Sequence, residues 1–434
     1  MPMLLDDQRN RQILDGFRAI GILLVILFHS LLISTKLVQK SGGTNNDFTG
    51  IDALIDAFPR ALNIAWHAVG SEMIFLVSGF LLSYLLFREY YRKGGIDLYD
   101  FFVRRLSRII PLYLIALMLY GLDMHYSLED LALNLLFISK AFDMKTIIPV
   151  GWSLEVMMQV YVLLPFLVIL VMHNRRPVLL MSVLMLLSLL PRWIALSLSQ
   201  GEYLIPVYEL IYQGGGSSRL QQDLYFLTIY RATPFLMGLL IAYLAVFRAD
   251  WLCNFFSKPL LSSGLLVLGV ILVALSSGVS IQDKDAWAYT SISQEFWLWF
   301  WTFHRFVFAS GISLLMLAIL HNTQGLARSI GGLFQWNLWG MFSHNIYSIY
   351  LFHFICLIPA ALLVLVPQSL DRMEIFVSQP KELIRMIDHI SVIEVLLIFF
   401  LTAFFSVKLA VWITRYVEKP SQEWIRRRFA QQQA

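Results

Sequence analysis

The sequence predicts an all-α fold, a polytopic membrane helix bundle of about ten transmembrane helices with both termini cytoplasmic, forming one domain over 1–434 with its core at 14–420. Two observations predict this fold. Of the 434 residues, 58% are hydrophobic and only 14% are charged, well outside the fractions usual for soluble domains. The apolar residues also gather into runs of about 20, the length at which an α-helix crosses the hydrocarbon core.

Ten apolar runs are long enough to cross a membrane. They lie near 14–34, 61–87, 101–122, 152–172, 177–199, 222–247, 259–279, 295–320, 341–366 and 391–414. The third is the weakest, because Pro111 lies inside it and its apolar part after Arg108 is short. Between the runs, the sequence contains no stretch that resembles a soluble domain.

Lysine and arginine in the short loops predict the orientation of the bundle. The basic segments are 88–108, the Arg175-Arg176 turn and the tail at 415–428. With ten spans, all three fall on one side, so both termini are expected in the cytoplasm. The net charge of +4 is small and the basic clusters are short, so no nucleic acid is expected as a partner. Cys253 and Cys356 show no metal-ligand or disulfide spacing and are expected to be packing residues.

Several ionisable residues fall inside the apolar runs, where they are costly and usually face the bundle interior or a water-filled cavity. Toward the middle of the runs lie His29, Glu72, Arg231, His304, Arg305 and His353, and Glu155 lies about one turn inside the fourth. A carboxylate such as Glu72 stays ionised there only with a partner such as Arg231, Arg305 or a histidine. The sequence leaves open whether such pairs brace the bundle or take part in chemistry.

The first run carries Arg18 and His29 eleven residues apart. In a helix this spacing returns to one face with a separation of about 16 Å. Arg18 is expected at the cytoplasmic mouth and His29 near mid-membrane, where an imidazole can accept and return a proton. The alternative is that Arg18 only follows the positive-inside rule and His29 makes one interhelical hydrogen bond.

A second basic cluster precedes the third run. Arg104 and Arg108 lie on one helical face with Arg105 beside them. Guanidinium groups placed in this way suit phosphate or diphosphate oxygens. The alternative is that these arginines anchor the surface to anionic lipid.

Six motifs occur in order over almost the whole chain. They are Leu14-Asp-Gly-Phe-Arg18 with His29, Glu72 before Phe75-Leu-Val-Ser-Gly-Phe80, Arg104-Arg-Leu-Ser-Arg-Ile-Ile-Pro111, Gly151-Trp-Ser-Leu-Glu155, Tyr347-Ser-Ile-Tyr-Leu-Phe-His353 and Val417-Glu-Lys-Pro420. Together they resemble the acyltransferase-3 family of bacterial integral-membrane O-acyltransferases. One departure is Met157, where the family commonly has a glutamate; Glu155, directly after Leu154, is the nearest acid.

The resemblance implies an enzyme that moves an acyl group, usually acetyl, from cytoplasmic acyl-CoA to a hydroxyl of a cell-envelope glycan or related acceptor. It implies a multi-pass protein of the bacterial inner membrane, surrounded by lipid, with no metal; a homo-oligomer is left open. The expected catalytic residues are His29, as general base or transient acyl carrier, with Glu155 and Glu72. The expected substrate- and acyl-CoA-binding residues are Arg18, Arg104, Arg105, Arg108, Arg305, His353, Trp152 and Ser153.

The rival prediction is a proton-coupled transporter or flippase for a sugar or organic acid. Mid-membrane histidine, glutamate and arginine also suit proton-coupled transport. Such a protein favours two related halves with broken helices, and the sequence shows no internal repeat of that kind.

Overall fold

The computed structural model describes residues 4–41, 64, 67–122, 126–199, 224–279, 291–322, 324–365 and 390–431, and within them every regular element is a helix. The helices are α1 Gln8–Ser41, α2 Gly70–Lys93, α3 Leu98–Tyr120, α4 Leu128–Leu135, α5 Gly151–His173, α6 Pro177–Leu187, α7 Leu190–Ser197, α8 Ala232–Phe247, α9 Ala249–Phe256, α10 Pro259–Ser277, α11 Gln294–His321, α12 Gly325–Phe334, α13 Leu338–His344, α14 Ile346–Leu365, α15 Val392–Ile413 and α16 Lys419–Gln431. A π-helical turn, Thr414–Glu418, joins α15 to α16.

The prediction of an all-α polytopic membrane bundle is confirmed, but fewer helices qualify as spans than predicted. Among the described residues, eight segments are long and apolar enough to cross a membrane, or nine if α8 and α9, bent by 99°, count as one. α6 and α7 together form one of the eight, Pro177–Ser197. The predicted third span is present as α3 but does not qualify, because three arginines lie in its first half. The cytoplasmic placement of both termini stays a prediction.

Two of the predicted spans have helices that begin later than the apolar runs do, which changes the position of two charged residues along their helices. Ala68 has a φ of +50°, a left-handed conformation that interrupts a helix, so α2 begins at Gly70 and Glu72 lies in its first turn. α8 begins at Ala232, with Arg231 directly before it. Glu72 and Arg231 therefore lie at the starts of their helices, although they fall toward the middle of the apolar runs.

α2 is packed between α1 and α8 through glycines, which allow helix backbones to approach closely. A Cβ on Gly70 would lie 2.6 Å from the Gly21 carbonyl oxygen of α1, and one on Gly238 of α8 would lie 2.5 Å from the Phe80 nitrogen of α2. Gly70, at the start of α2, also meets Val25 of α1, whereas Arg88, near the end of α2, pairs with Asp6 just before α1. The two helices therefore run antiparallel, and His29 lies about one turn beyond the start of α2.

Gly238→Ala is expected to destabilise the bundle by about 1–3 kcal/mol, because α2 and α8 must separate to admit the methyl group. Thermal unfolding in detergent measures the change. The matched control is Gly264→Ala in α10, where an added Cβ meets nothing within 4 Å; this variant should be neutral or slightly stabilising. Equal unfolding temperatures for the two variants would contradict the close α2–α8 contact.

Candidate active site

A pair of histidines connects α1 to α14. The His29 Nδ1 and His353 Nε2 atoms lie 2.9 Å apart, and His353 Nδ1 lies 2.7 Å from the Tyr350 carbonyl oxygen. A side chain in a helix points back toward the preceding turn, which is why His353 reaches the carbonyl three residues earlier. His353 is fully buried, whereas His29 is partly exposed. The pair therefore has one buried member and one partly exposed member.

The hydrogen bonds of this pair determine where its protons lie when both rings are neutral. A carbonyl oxygen only accepts, so His353 carries its hydrogen on Nδ1 and its lone pair on Nε2. His29 must then donate from Nδ1, and its lone pair lies on Nε2. We infer that His29 Nε2 is the atom available to take a proton from a substrate.

A cavity of about 280 Å³, which we call the central cavity, lies among α1, α2, α3, α5 and α14. At one end it is lined by Arg18, Arg105 and Arg108. Its other lining residues include Ser71, Phe75, Ser78, Met157, Met158, Tyr161, Ser153 and Tyr350. Because α1 and α2 run antiparallel, Ser71 and Ser153, near the helix starts of α2 and α5, mark the end opposite the arginines.

The histidine pair lies directly behind the wall of this cavity. Neither His29 nor His353 is among the cavity's lining residues. Tyr350 lines the cavity, and its ring centroid is 6.0 Å from that of His353, which is in turn 5.0 Å from that of His29. Tyr350 therefore connects the cavity lining to His353 and, through it, to His29.

A second cavity, of about 330 Å³, adjoins the arginine end. Its lining residues are Arg104, Arg105, Arg108, His344, Thr414, Glu418, Lys419 and Gln422. Arg105 and Arg108 line both cavities, so the two spaces share one basic wall. Basic groups outnumber the single carboxylate in this lining, which makes the cavity suited to phosphate oxygens.

The arginines that line the two cavities differ in their partners. Arg104 pairs with Asp100 at 2.6 Å, and Arg18 with Asp15 at 3.5 Å. Arg108 Nε lies 3.7 Å from Glu418, a buried carboxylate on the π-helical turn that also accepts hydrogen bonds from Ser348 and Thr414. Glu418 therefore fixes Arg108 at the junction of the two cavities.

A separate ion cluster surrounds Glu72. Arg231 and Arg305 both donate to Glu72 Oε1, and all three side chains are buried. The Arg231 guanidinium lies 5.0 Å from the ring centroid of Trp152 and 4.5 Å from that of Tyr225. Glu72, Arg305 and Trp152 are thus brought together, apart from the histidine pair.

Glu155 has a different environment. The Ser139 hydroxyl donates to Glu155 Oε1, and the Lys140 backbone N–H donates to Oε2 at 3.0 Å. Both carboxylate oxygens therefore hold the Ser139–Phe142 turn against α5, and Glu155 does not line the central cavity. Its neighbour Ser153 does, with its hydroxyl 2.6 Å from that of Tyr350.

Sequence reasoning selected His353 but did not pair it with His29, and it did not single out Tyr350 or Glu418. Both missed residues lie in motifs that the sequence shows, Tyr347–His353 and Val417–Pro420. Tyr350 and Glu418 stand out only through their contacts with Ser153 of α5 and Arg108 of α3, which the order of residues in the sequence does not reveal. Among the described residues, no three His, Cys, Asp or Glu side chains come together as a metal ion would require.

Comparisons with known proteins agree with these motifs. A family model described as an acyltransferase domain matches residues 11–415. The O-acetyltransferase OatA of Staphylococcus aureus (strain NCTC 8325 / PS 47) is 27% identical over 297 residues, 64% of this chain and 41% of OatA. A putative O-acetyltransferase of S. aureus strain COL is 32% identical over 108 residues, 25% of this chain and 13% of that protein. The matches thus span less than half of these relatives, and no solved structure matches the chain.

Proposed function

This chain belongs to the acyltransferase-3 family, and we propose that it transfers an acyl group, in the first instance acetyl, from cytoplasmic acyl-CoA to a hydroxyl of a cell-envelope glycan or related acceptor. Two matched relatives are named as O-acetyltransferases. The observation that carries the proposal is the His29–His353 pair, which is hydrogen-bonded to Tyr350 at one end of a cavity whose other end is lined by arginines. The proposal includes the bacterial inner membrane, cytoplasmic termini and one domain over 1–434.

In this proposal the donor occupies both cavities. The phosphates of acyl-CoA bind in the basic second cavity, where Arg104, Arg105 and Arg108 lie. The arm that carries the thioester follows the central cavity past Met157 and Met158 toward Tyr350. The shared wall of Arg105 and Arg108 supports one ligand that spans the two spaces.

The acceptor approaches the partly exposed His29. His29 Nε2 removes the proton of the acceptor hydroxyl as its oxygen attacks the thioester carbon. The resulting imidazolium keeps its Nδ1–H bond to His353, whose own Nδ1–H is held by the Tyr350 carbonyl. The intermediate collapses to the ester and releases the CoA thiolate, which takes the proton from His29.

The remaining residues position this machinery. Glu72 and Arg305 fix α2 to α11, and Trp152 packs on the same cluster. Glu155 holds the turn beside α5, which carries Ser153 to the cavity. Surrounding lipid covers the apolar helix faces.

The function is tested by mass spectrometry of envelope glycans from a strain that lacks this protein and from the same strain complemented with it. A glycan that gains the mass of an acyl group only on complementation identifies both group and acceptor. Identical glycan profiles in the two strains would contradict the proposal.

Arg105→Ala with Arg108→Ala is expected to raise the KM for acyl-CoA by roughly 100-fold or more, because two charge-assisted phosphate contacts are lost. Steady-state kinetics with purified protein measure this, and kcat should change far less. The matched control is Arg427→Ala, an exposed arginine that pairs with Glu423 at 3.7 Å. An unchanged KM for acyl-CoA in the double variant would contradict phosphate binding by these arginines and favour the alternative that they anchor the surface to anionic lipid.

A further inference from the structure

Tyr350 presents a hydroxyl at the end of the central cavity opposite the arginines. Its oxygen lies 2.6 Å from Ser153 Oγ, which in turn lies 2.9 Å from the Val150 carbonyl oxygen. Ser153 has one hydrogen and two acceptors within reach. When it donates to Val150, Tyr350 donates to Ser153; when it donates to Tyr350, the phenol hydrogen is free to point into the cavity.

Two neighbouring hydroxyls in the same lining are committed to the backbone. Tyr347 donates to the Ile109 carbonyl at 2.8 Å, and Ser71 donates to the Ala68 carbonyl at 3.1 Å. Among the described residues, each of these hydroxyls has one acceptor, a backbone carbonyl, to which it can donate. Tyr350 differs because Ser153 can donate its hydrogen either to the Val150 carbonyl or to the Tyr350 hydroxyl. When Ser153 donates to Tyr350, the Val150 carbonyl still accepts from the Ser153 backbone N–H at 3.2 Å.

The backbone of Tyr350 also holds the histidine pair. Its carbonyl accepts the His353 Nδ1–H, and His353 Nε2 accepts from His29. One turn of α14 therefore carries both a hydroxyl that lines the cavity and the carbonyl that fixes the tautomer of the base. A donor on this turn and a base hydrogen-bonded to it through His353 are held in fixed relative positions.

We propose that the Tyr350 hydroxyl is a catalytic hydrogen-bond donor to the thioester carbonyl oxygen, the function of an oxyanion hole. This inference rests on the proposed acyl transfer. As the acceptor oxygen bonds to the carbonyl carbon, the carbonyl π electrons move to its oxygen, and Tyr350 O–H donates to that anion. When the C–S bond breaks, the carbonyl re-forms and the electron pair leaves with the CoA sulfur. Ser153 is a positioning residue that donates to the phenol oxygen during this step.

The test compares Tyr350→Phe with Tyr120→Phe in purified protein given radiolabelled acetyl-CoA and a glycan extract from the deletion strain. Tyr120 is a matched control, because its hydroxyl also forms a hydrogen bond between two helices, from α3 to the Leu351 carbonyl of α14 at 2.9 Å, without lining the cavity. Tyr350→Phe is expected to lower kcat by about 10²–10³-fold, the loss seen when one oxyanion donor is removed. Its KM for acetyl-CoA should stay unchanged, since the bond strengthens only in the transition state.

Ser153→Ala is expected to lower kcat by roughly two- to tenfold, the effect of one neutral hydrogen bond, and to have no further effect in the Tyr350→Phe background. Equal kcat values for Tyr350→Phe and Tyr120→Phe, or a loss confined to KM, would overturn the inference. Failure of the proposed function looks different: wild-type protein would then transfer no label to the extract. A third outcome is that wild type and Tyr350→Phe both transfer label whereas His29→Ala does not. This result would reject Tyr350 as the hydrogen-bond donor and retain His29 as the base.

Discussion

His29→Ala is expected to lower acyl transfer by about 10²–10⁴-fold, the contribution of a positioned general base. The reason is that Nε2 of His29 is the atom of the pair left with a lone pair. Transfer of label from acetyl-CoA to the deletion-strain glycan extract measures the loss. The protein should still insert and express, since His29 is partly exposed.

Two further variants define what His29 does. His173→Ala, a histidine at the end of α5 whose Nδ1 lies 2.8 Å from the Ile169 carbonyl oxygen, is the matched control and should keep full activity. His353→Ala should give an intermediate loss, because His29 Nδ1–H then lacks its acceptor. Wild-type activity in His29→Ala would contradict a role as base. A labelled acyl-protein that forms without acceptor, and only when His29 is present, would assign it instead as an acyl carrier.

Glu72→Gln is expected to destabilise the protein by about 3–5 kcal/mol, because it removes the carboxylate shared by two buried guanidiniums. Arg231 and Arg305 would then remain as buried cations without a counter-charge in the cluster. Thermal unfolding in detergent measures the loss. Glu423→Gln, which breaks the exposed pair with Arg427, should cost about 0–1 kcal/mol.

The same comparison separates a structural Glu72 from a catalytic one. The structure places Glu72 in the first turn of α2 with both arginines on one oxygen. If it braces the bundle, stability falls and the remaining folded fraction stays active. A Glu72→Gln protein that unfolds like wild type but transfers no acyl group would show that Glu72 belongs to the catalytic site.

The sequence was sufficient to predict the membrane helix bundle, because the apolar runs determine which segments can span a membrane. The sequence named Arg231, Arg305 and the histidines as possible partners of Glu72, and in the structure Glu72 pairs with both arginines. The pairing of His29 with His353 could not be predicted, since 324 residues separate them and only the packing of α1 against α14 joins them.

Depth along the helices was predicted less well, for a physical reason. The hydropathy of a segment depends on how many apolar residues it contains and not on whether those residues are helical. The run that begins at 61 therefore hid the turn at 67–69, where Ala68 adopts a left-handed conformation and α2 starts late. Among the described residues, α3 does not qualify as a span by length and composition, because a helix with arginines through its first half is long enough to cross a membrane but too charged.

Reconstituted proteoliposomes supplied with radiolabelled acetyl-CoA and the deletion-strain glycan extract test the central claim most directly. We expect free CoA to be released only when the extract is present, label to appear on the glycan in equal amount, and both to be lost in His29→Ala. Counterflow of a labelled sugar or organic acid in the absence of acetyl-CoA, with no CoA released when the extract is added, would contradict acyl transfer and identify the protein as a transporter.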